Sequence, residues 1–410
     1  MVFMSLEFTG KIPFSEVLIH PVIQTPDGKR MSKSKGNAIN PLEMIDKYGA
    51  DANRFWYFSV GIMGNQDVRF PGTKGKDGTW ESSTLEQYRR FSNKLWNAVN
   101  FVKQNLESEK KYDANFNLND ILDKLSNKNL TIADRWILSC YGQLLSGLSE
   151  SFKAHKFSNV ADELHGFIWF SFCDWYIEIA KRQLAEPSLK EQTQEILFYI
   201  VEGITRALHP IMPFITEEIW QLLPVKNKSK FLLLEKYPQG DAKDLNDSFR
   251  NDSLKFSYIV QVTSSIRNQR QTLNLPWTKE IEVKLFNEDD FEKNALIGSM
   301  SYIEFLTKSK VTMLSKFELV KPSTGFLISK TRGIIPLAPI SDVVDIDSML
   351  INYNKKKAQY EKDVQSCKTK LDNPNFVNNA APEKVEEVKN QVKELENQIK
   401  TIDEQVGLLR

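Results

Sequence analysis

The sequence is poor in the residues that mark the commoner kinds of site. Cysteine is scarce: Cys140, Cys173 and Cys367 are the only three, far apart, and none belongs to a CxxC pair. Neither a disulfide framework nor a thiolate zinc site is expected, so no metal is assigned to the chain. Histidine is nearly as rare, with His20, His155, His165 and His209 the only four. All four read as packing or surface residues. Charge of one sign is also missing, because 54 Lys and Arg stand against 53 Asp and Glu. Any nucleic-acid binding must therefore come from local patches. No apolar run is long enough to cross a bilayer. The opening stretch, MVFMSLEFTGKIPF, lacks the basic, apolar and small-residue order of a signal peptide, so none is expected. What the chain does have is length, 410 residues, and a hydrophobic content of 41%. Two to four domains with real cores are expected.

Against this neutral background one loop is strongly basic. GKRMSKSKGNAINP, Gly28 to Pro41, places Lys29, Arg30, Lys33 and Lys35 between two glycines, Gly28 and Gly36. The preceding LIHPVIQTPDG reads as a strand and a tight turn, since Asp-Gly supplies the positive φ that such turns require. The following PLEMIDKYGADANRFWYFSV reads as a helix opened by proline. The loop thus links a strand to a helix. Cations with hydroxyls beside them suit a polyphosphate whose charge grows during a reaction.

Beyond Phe70, the stretch PGTKGKDGT (Pro71 to Thr79) reads as a surface loop. From Trp80 to Lys236 the pattern is helical. Phe91, Leu95, Ala98, Val99 and Val102 share one helical face. Thr131 with Asp134 three residues on is a capping signature. FSNVADELHGFIWFSFCDWYIEIAKRQL is apolar all round and should pass through a bundle core, with breaks later at His209-Pro210 and Pro213. Consecutive long helices with short breaks predict an antiparallel bundle. From Tyr237 to about Val344 one helix (LKFSYIVQVTSSIRNQRQTL) is followed by five runs read as strands: EIEVKLF, SYIEFL, KFELV, GFLIS and IIPLA. This predicts a small α+β module. Last, Leu350, Tyr353, Lys357, Tyr360, Val364, Cys367 and Leu371 step by 3 and 4, as do Val385, Val388, Val392, Leu395, Ile399, Ile402, Val406 and Leu409. Two heptad arms joined by DNPNFVNNAAPE predict an antiparallel coiled-coil hairpin, with Lys357 interrupting the first seam and snorkelling outward.

RMSKSKGN resembles the KMSKS signature of the class I aminoacyl-tRNA synthetases. NPLEMIDKYGADANRF is similar to the continuation found in that family. NKLWN, DRWIL, FCDWYIEIAK and LHPIMPFITEEIW resemble the anticodon-binding bundle of its valyl, isoleucyl and leucyl branches. The hairpin bent at NPNF resembles the C-terminal arm of the valyl branch. The likeness runs from about Phe8 to Arg410. It implies a mainly α architecture in four parts: the end of a catalytic domain with the KMSKS loop and a stem-contact segment (1–79), an antiparallel anticodon-binding bundle (80–236), a small α+β linker module (237–345), and a coiled-coil tRNA-binding arm (346–410).

The activity implied is ATP-dependent activation of valine, with Mg2+ in the complete enzyme, followed by transfer to tRNA(Val) by a cytoplasmic monomer. Lys33 is then the ATP-contacting lysine, with Arg30 beside it as a second catalytic cation in place of the usual first lysine. Met31, Ser32 and Ser34 complete the ATP-binding loop. A guanidinium is not a point ammonium, so the contact made by Arg30 is left open. Catalysis in this family also needs a His-x-Gly-His signature, which the sequence does not contain, so the chain alone is expected to bind tRNA without catalysing.

For RNA, cations are needed for phosphates and aromatics or amides for splayed bases. Lys94, Asn97 and Phe101 form one candidate set, although packing explains Phe101 equally well and also suits Trp96 and Asn97. The CDWY cluster is expected in the core, with Asp174 a buried or capping partner. The first hairpin arm carries six lysines against two acids, while five cations face seven acids in the second. Lys355, Lys356, Lys362, Lys368 and Lys370 are therefore candidate tRNA contacts, the alternative being that the two arms simply complement each other. Two other readings stay open: the corresponding part of an isoleucyl or leucyl enzyme, and a non-catalytic helical and coiled-coil scaffold.

Overall fold

The expected strand before the loop is short. In the computed structural model, β1 (Ile23–Gln24) pairs in parallel with β2 (Val68–Arg69). Pro21 and Pro26 bracket β1, and proline offers no ladder N–H. The structure describes every residue except 62–66, 77, 115, 374–375 and 377–381, and the side chains of residues 33, 244, 247 and 248 also fall outside the description. The chain divides into two units, Met1–Leu254 and Lys255–Arg410.

In the first unit, α1 (Val2–Thr9) buries none of its residues. The single helix expected after the loop is two, α2 (Pro41–Tyr48) and α3 (Ala50–Ser59). They part at Gly49, whose φ of 88° glycine adopts without strain. Asn40 caps α2 by accepting the Leu42 N–H at 3.1 Å. The stretch read as a plain loop carries a small antiparallel pair, β3 (Thr73–Lys74) and β4 (Trp80–Glu81). Next come α4 (Ser83–Asn105), α5 (Leu118–Lys124) and α6 (Ile132–Lys153). Then α7 (Phe157–Gly166), a π-helical stretch (Phe167–Tyr176) and α8 (Ile177–Ala185) run on as one rod. Finally α9 (Pro187–Leu208) and α10 (Pro213–Leu222) part at the predicted prolines.

Contacts fix the helix directions. Ser151 meets Glu163 and Asp134 meets Tyr176, so the rod runs against α6. Lys94 meets Asp174, and Lys181 lies over Phe101, so the rod runs with α4. This is the expected up-and-down bundle. Its core takes Leu85, Phe91, Leu95, Val99 and Val102 from α4, all at most 1% exposed. Burying each such side chain stabilises the fold by about 1.5–3 kcal/mol. The predicted cap is present as a full capping box, with Asp134 accepting the Thr131 N–H at 2.9 Å. The same buried carboxylate accepts from Tyr176 Oη at 2.8 Å and Gln192 Nε2 at 3.0 Å, tying three helices together. Burial raises its pKa, and the Thr131 and Tyr176 donors pull the other way.

The second unit holds a four-stranded sheet in the order β6-β5-β8-β7, after α11 (Asp247–Thr272), which begins in the first unit. β5 (Ile281–Phe286) alternates buried Ile281, Val283 and Leu285 with less buried Glu282 and Lys284. It pairs in parallel with β6 (Ser309–Met313) through the crossover helix α12 (Asp290–Thr307). β7 (Ser323–Ile328) and β8 (Thr331–Pro336) form a hairpin, and β8 lies antiparallel to β5. Two strand readings fail here. SYIEFL is the last part of α12, where Leu296, Ser299, Ile303 and Leu306 are buried at helical spacing behind an Asp289 cap. KFELV forms no strand, and β6 lies instead at SKVTM.

The hairpin is α13 (Ile346–Leu371) against α14 (Pro382–Leu409). Val364, Cys367 and Val392 are buried in its seam, with Leu371, Val388, Leu395 and Ile399 packed around them. Most of the predicted bend, NPNFVNNAA, lies outside the described residues. The foot of the hairpin is joined to the sheet. Gln405 Nε2 donates to the Gly325 carbonyl at 3.0 Å, and Thr324 Oγ1 donates to Gln405 Oε1 at 3.1 Å. A Cβ on Gly325 would stand 3.1 Å from both Leu408 and the Gly333 carbonyl, so a larger residue would press on this close approach. Among the described residues no helix is long and apolar enough to cross a membrane.

Candidate functional site

The first end of the basic loop is held by a local turn. Thr25 Oγ1 donates to the Lys29 carbonyl at 3.0 Å and accepts the Lys29 N–H at the same distance. Gly28, at φ 78°, closes the turn. A Cβ there would lie 3.2 Å from the Arg69 guanidinium, so glycine lets a further cation stand against the loop. Asp27 pairs with Lys29 at 2.7 Å, which lowers the pKa of the acid and raises that of the amine. Lys29 is thereby committed to the turn.

Asn37 staples the centre of the loop. Its Oδ1 accepts the Ser32 N–H at 2.9 Å and its Nδ2 donates to the Arg30 carbonyl at 3.2 Å. Met31 packs into the cluster formed by Met44, Tyr48, Ala52, Trp56, Phe70 and Leu85. Its place is that of an anchor, under a loop that leaves Arg30, Ser34 and Lys35 among its exposed members. Ser32 Oγ and Ser34 Oγ are 2.9 Å apart. Lys33 opens the single 3-10 turn Lys33–Lys35, and its side chain lies outside the described residues. Sequence reasoning assigned no role to Asn37; an amide placed after a positive-φ glycine was the available signal.

The helices after the loop grip the bundle. Asp51 accepts the Phe214 N–H at 3.2 Å and the Ile215 N–H at 2.7 Å, at the start of α10. Arg54 donates to the Ile211 and Pro210 carbonyls at 2.8 and 3.0 Å. One face of α3 therefore holds both sides of the break between α9 and α10. Burial raises the Asp51 pKa, opposed by the two N–H donors. His209, beside this corner, bonds Thr216 Oγ1 at 2.8 Å.

The second set lies along α4. Lys94 Nζ is 2.5 Å from the Asp174 carboxylate and 3.7 Å from the centre of the Trp169 ring. Trp169 is stacked in turn on His165, with 11° between the planes. Burial lowers the His165 pKa. Asn97 is exposed and Phe101 half-buried, with Lys181 Nζ 5.9 Å from the Phe101 ring. Cys173, Trp175 and Tyr176 are in the core as expected, and burial pushes the Cys173 thiol up to about 12. Asp174 differs from expectation. It is 41% exposed and serves as the ion-pair partner of Lys94. Trp169, Asp174 and Lys181 complete a face that the sequence signals only through α4.

The third set is on α13. Lys355, Lys356, Lys362, Lys368 and Lys370 are all exposed. Lys368 reaches Glu396 of the facing helix at 2.7 Å. Lys357 does not simply snorkel outward: it crosses the seam to Asp403 at 2.5 Å. These two pairs show that the arms do complement each other in part. Lys355, Lys356, Lys362 and Lys370 have no ion-pair partner among the described residues.

Comparison with known proteins agrees with the order of these sites. Residues 1–70 match the family model for class I tRNA synthetases (I, L, M and V), residues 134–285 that for the anticodon-binding domain of tRNA ligase, and residues 345–410 that for the valyl tRNA synthetase tRNA binding arm. The valine--tRNA ligase of Enterococcus faecalis is 36% identical over 94% of this chain and 41% of its own length. That of Listeria innocua is 34% identical over 94% and 41%, and that of Bacillus subtilis 32% over 95% and 42%. The chain thus spans about two-fifths of the length of the curated relatives it matches. A solved LeuRS-tRNA-LeuAMS complex from Agrobacterium radiobacter superposes with a TM-score of 0.41 at 15% identity, covering 59% of this chain and 26% of that one, too slight a likeness to carry an argument. With a class I segment, an anticodon-binding domain and a valyl-type arm in that order, the chain corresponds to the C-terminal part of the class I valine--tRNA ligases.

Proposed function

We propose that the chain supplies the signature loop and the tRNA-gripping surfaces of a valine--tRNA ligase, which joins valine to the AMP part of ATP with release of pyrophosphate and passes it to tRNA(Val). The observation that carries the reading is the likeness to such ligases along nearly the whole chain, at 31–36% identity. The loop geometry supports it. Asn37 and Met31 hold the backbone while Arg30 and Ser34 face outward with Lys35. Lys33 is the ammonium that meets the pyrophosphate as it departs, and Arg30, Met31, Ser32 and Ser34 shape the ATP seat. Mg2+ arrives with the ATP phosphates; among the described residues no group of three or more acids, histidines or cysteines could hold a metal. A cation that meets charge only as it develops speeds the chemical step and adds little to ground-state binding.

Lys94, Asn97 and Phe101 read the splayed bases of the anticodon, and Lys355, Lys356, Lys362, Lys368 and Lys370 meet phosphates. The enzyme works as a cytoplasmic monomer. Filter binding of tRNA(Val) and tRNA(Ile) transcripts to the chain tests the reading: preference for tRNA(Val) is expected. Preference for tRNA(Ile) would assign an isoleucyl enzyme, and indifference to both would favour a protein scaffold. In a complete ligase carrying this chain, Lys33→Ala should slow adenylate formation by about 10²–10³, the effect of removing one donor to a developing charge. A wild-type rate with a raised KM for ATP would give Lys33 a ground-state role instead.

A further inference from the structure

The first arm of the hairpin has a second face flanking its seam, and the two share Tyr353. Met349, Asn352, Tyr353, Lys356 and Gln359 recur at i, i+3, i+4, i+7 and i+10, one stripe of a helix. With Lys355 and Thr272, the last residue of α11, they line a groove of about 550 Å³. Met349 and Tyr353, its half-buried members, supply apolar surface. Asn352 and Gln359 bring amides, each able to donate and accept. Lys355 and Lys356 line it as exposed side chains with no ion-pair partner among the described residues.

We propose that this groove seats one unpaired nucleotide of the bound RNA, with its base over Tyr353 and Met349, its edge on the amides and its phosphate at Lys355 and Lys356. The inference rests on the RNA-binding reading above and sharpens it: the arm would grip through a pocket at its base as well as through a field of charge along its length. Charge complementarity selects this occupant. Apolar surface alone would suit a peptide, but two unengaged ammonium groups in the lining suit a phosphodiester, and aromatic stacking accepts any base.

The test uses the whole chain and a tRNA(Val) transcript, with affinity measured by fluorescence anisotropy at several salt concentrations. Asn352→Trp fills the groove and displaces the nucleotide with its phosphate, so affinity should fall about tenfold or more and the salt slope should fall with it. Lys356→Gln should lower that slope by roughly 0.7–0.9. Should Asn352→Trp lose helical signal, the unaltered chain decides the matter: a transcript carrying 4-thiouridine should crosslink to the peptide spanning 349–359. An Asn352→Trp chain that is folded and binds as the parent does, or crosslinks confined to other peptides, would overturn the groove alone. A parent that binds no RNA would overturn the proposed function as well.

Discussion

The two candidate RNA faces use their lysines in opposite ways. On the bundle, Lys94 is held by Asp174 and by the Trp169 ring, and Lys181 pairs with Glu178 at 2.6 Å while lying over Phe101. On α13, Lys355, Lys356, Lys362 and Lys370 have no such partners among the described residues. A committed cation orients an aromatic surface and contributes little net field. An uncommitted one attracts phosphates at a distance and is screened by salt. Under the proposed function, the bundle face would grip RNA by shape and stacking, and the arm by charge.

The largest test of this contrast is to change Lys355, Lys356, Lys362 and Lys370 together to glutamine. The salt slope of log K for tRNA(Val) should fall by roughly 3, at about 0.7–0.9 for each phosphate no longer neutralised. The substitution is sharper than deleting the hairpin, which would also strip Gln405 and Leu408 from β7. An unchanged slope would make the arm's charge incidental.

Phe101→Ala should act in the other sense. Affinity should drop by about 1–3 kcal/mol, the usual contribution of one stacked base, while the slope stays as it was. A slope change without an affinity loss at high salt would show that the bundle face, too, works by charge.

Lys357→Leu concerns the seam rather than the RNA. The exposed pair with Asp403 contributes roughly 0–1 kcal/mol, and a leucine largely buried between the helices contributes more. A net gain of about 1 kcal/mol should appear as a higher Tm with RNA affinity unchanged. A fall in Tm would mean that the cross-seam pair fixes the register of the hairpin.

The smallest expected effect is on pH dependence. Burial lowers the pKa of His165 in the folded chain, so the unfolded chain takes up its proton first as pH falls. The stability contributed by the neutral ring is fully present above the unfolded value near 6.5 and is lost as pH drops below it. His165→Gln should flatten that part of a denaturation profile. A profile that keeps its slope would place the titration elsewhere, with His209, whose pKa burial also lowers, the first to examine.

Local signals carried much of this architecture. The heptad steps of α13 and α14, the capping box at Thr131 and the prolines that separate α9 from α10 each act within a few residues, so a linear reading finds them. SYIEFL shows the limit. A short apolar run suits a strand or a helix, and what decided was the packing of Leu296, Ser299, Ile303 and Leu306 into one core. The Lys94 site shows the same division. Its cation and the Phe101 ring were legible at spacings of one helix, but Trp169, Asp174 and Lys181 come from 75 or more positions beyond Lys94.

Sequence alone determined which groups could do chemistry: the cations of the loop, the aromatics of the bundle and the lysines of the arm, because side-chain type is written one residue at a time. Only the tertiary structure decided which of those groups are already spoken for. Asp27 takes Lys29, Asp174 takes Lys94, Glu396 takes Lys368 and Asp403 takes Lys357. Three of these four pairs join residues from different helices, and a Coulomb interaction depends on separation in space, which the chain acquires only on folding.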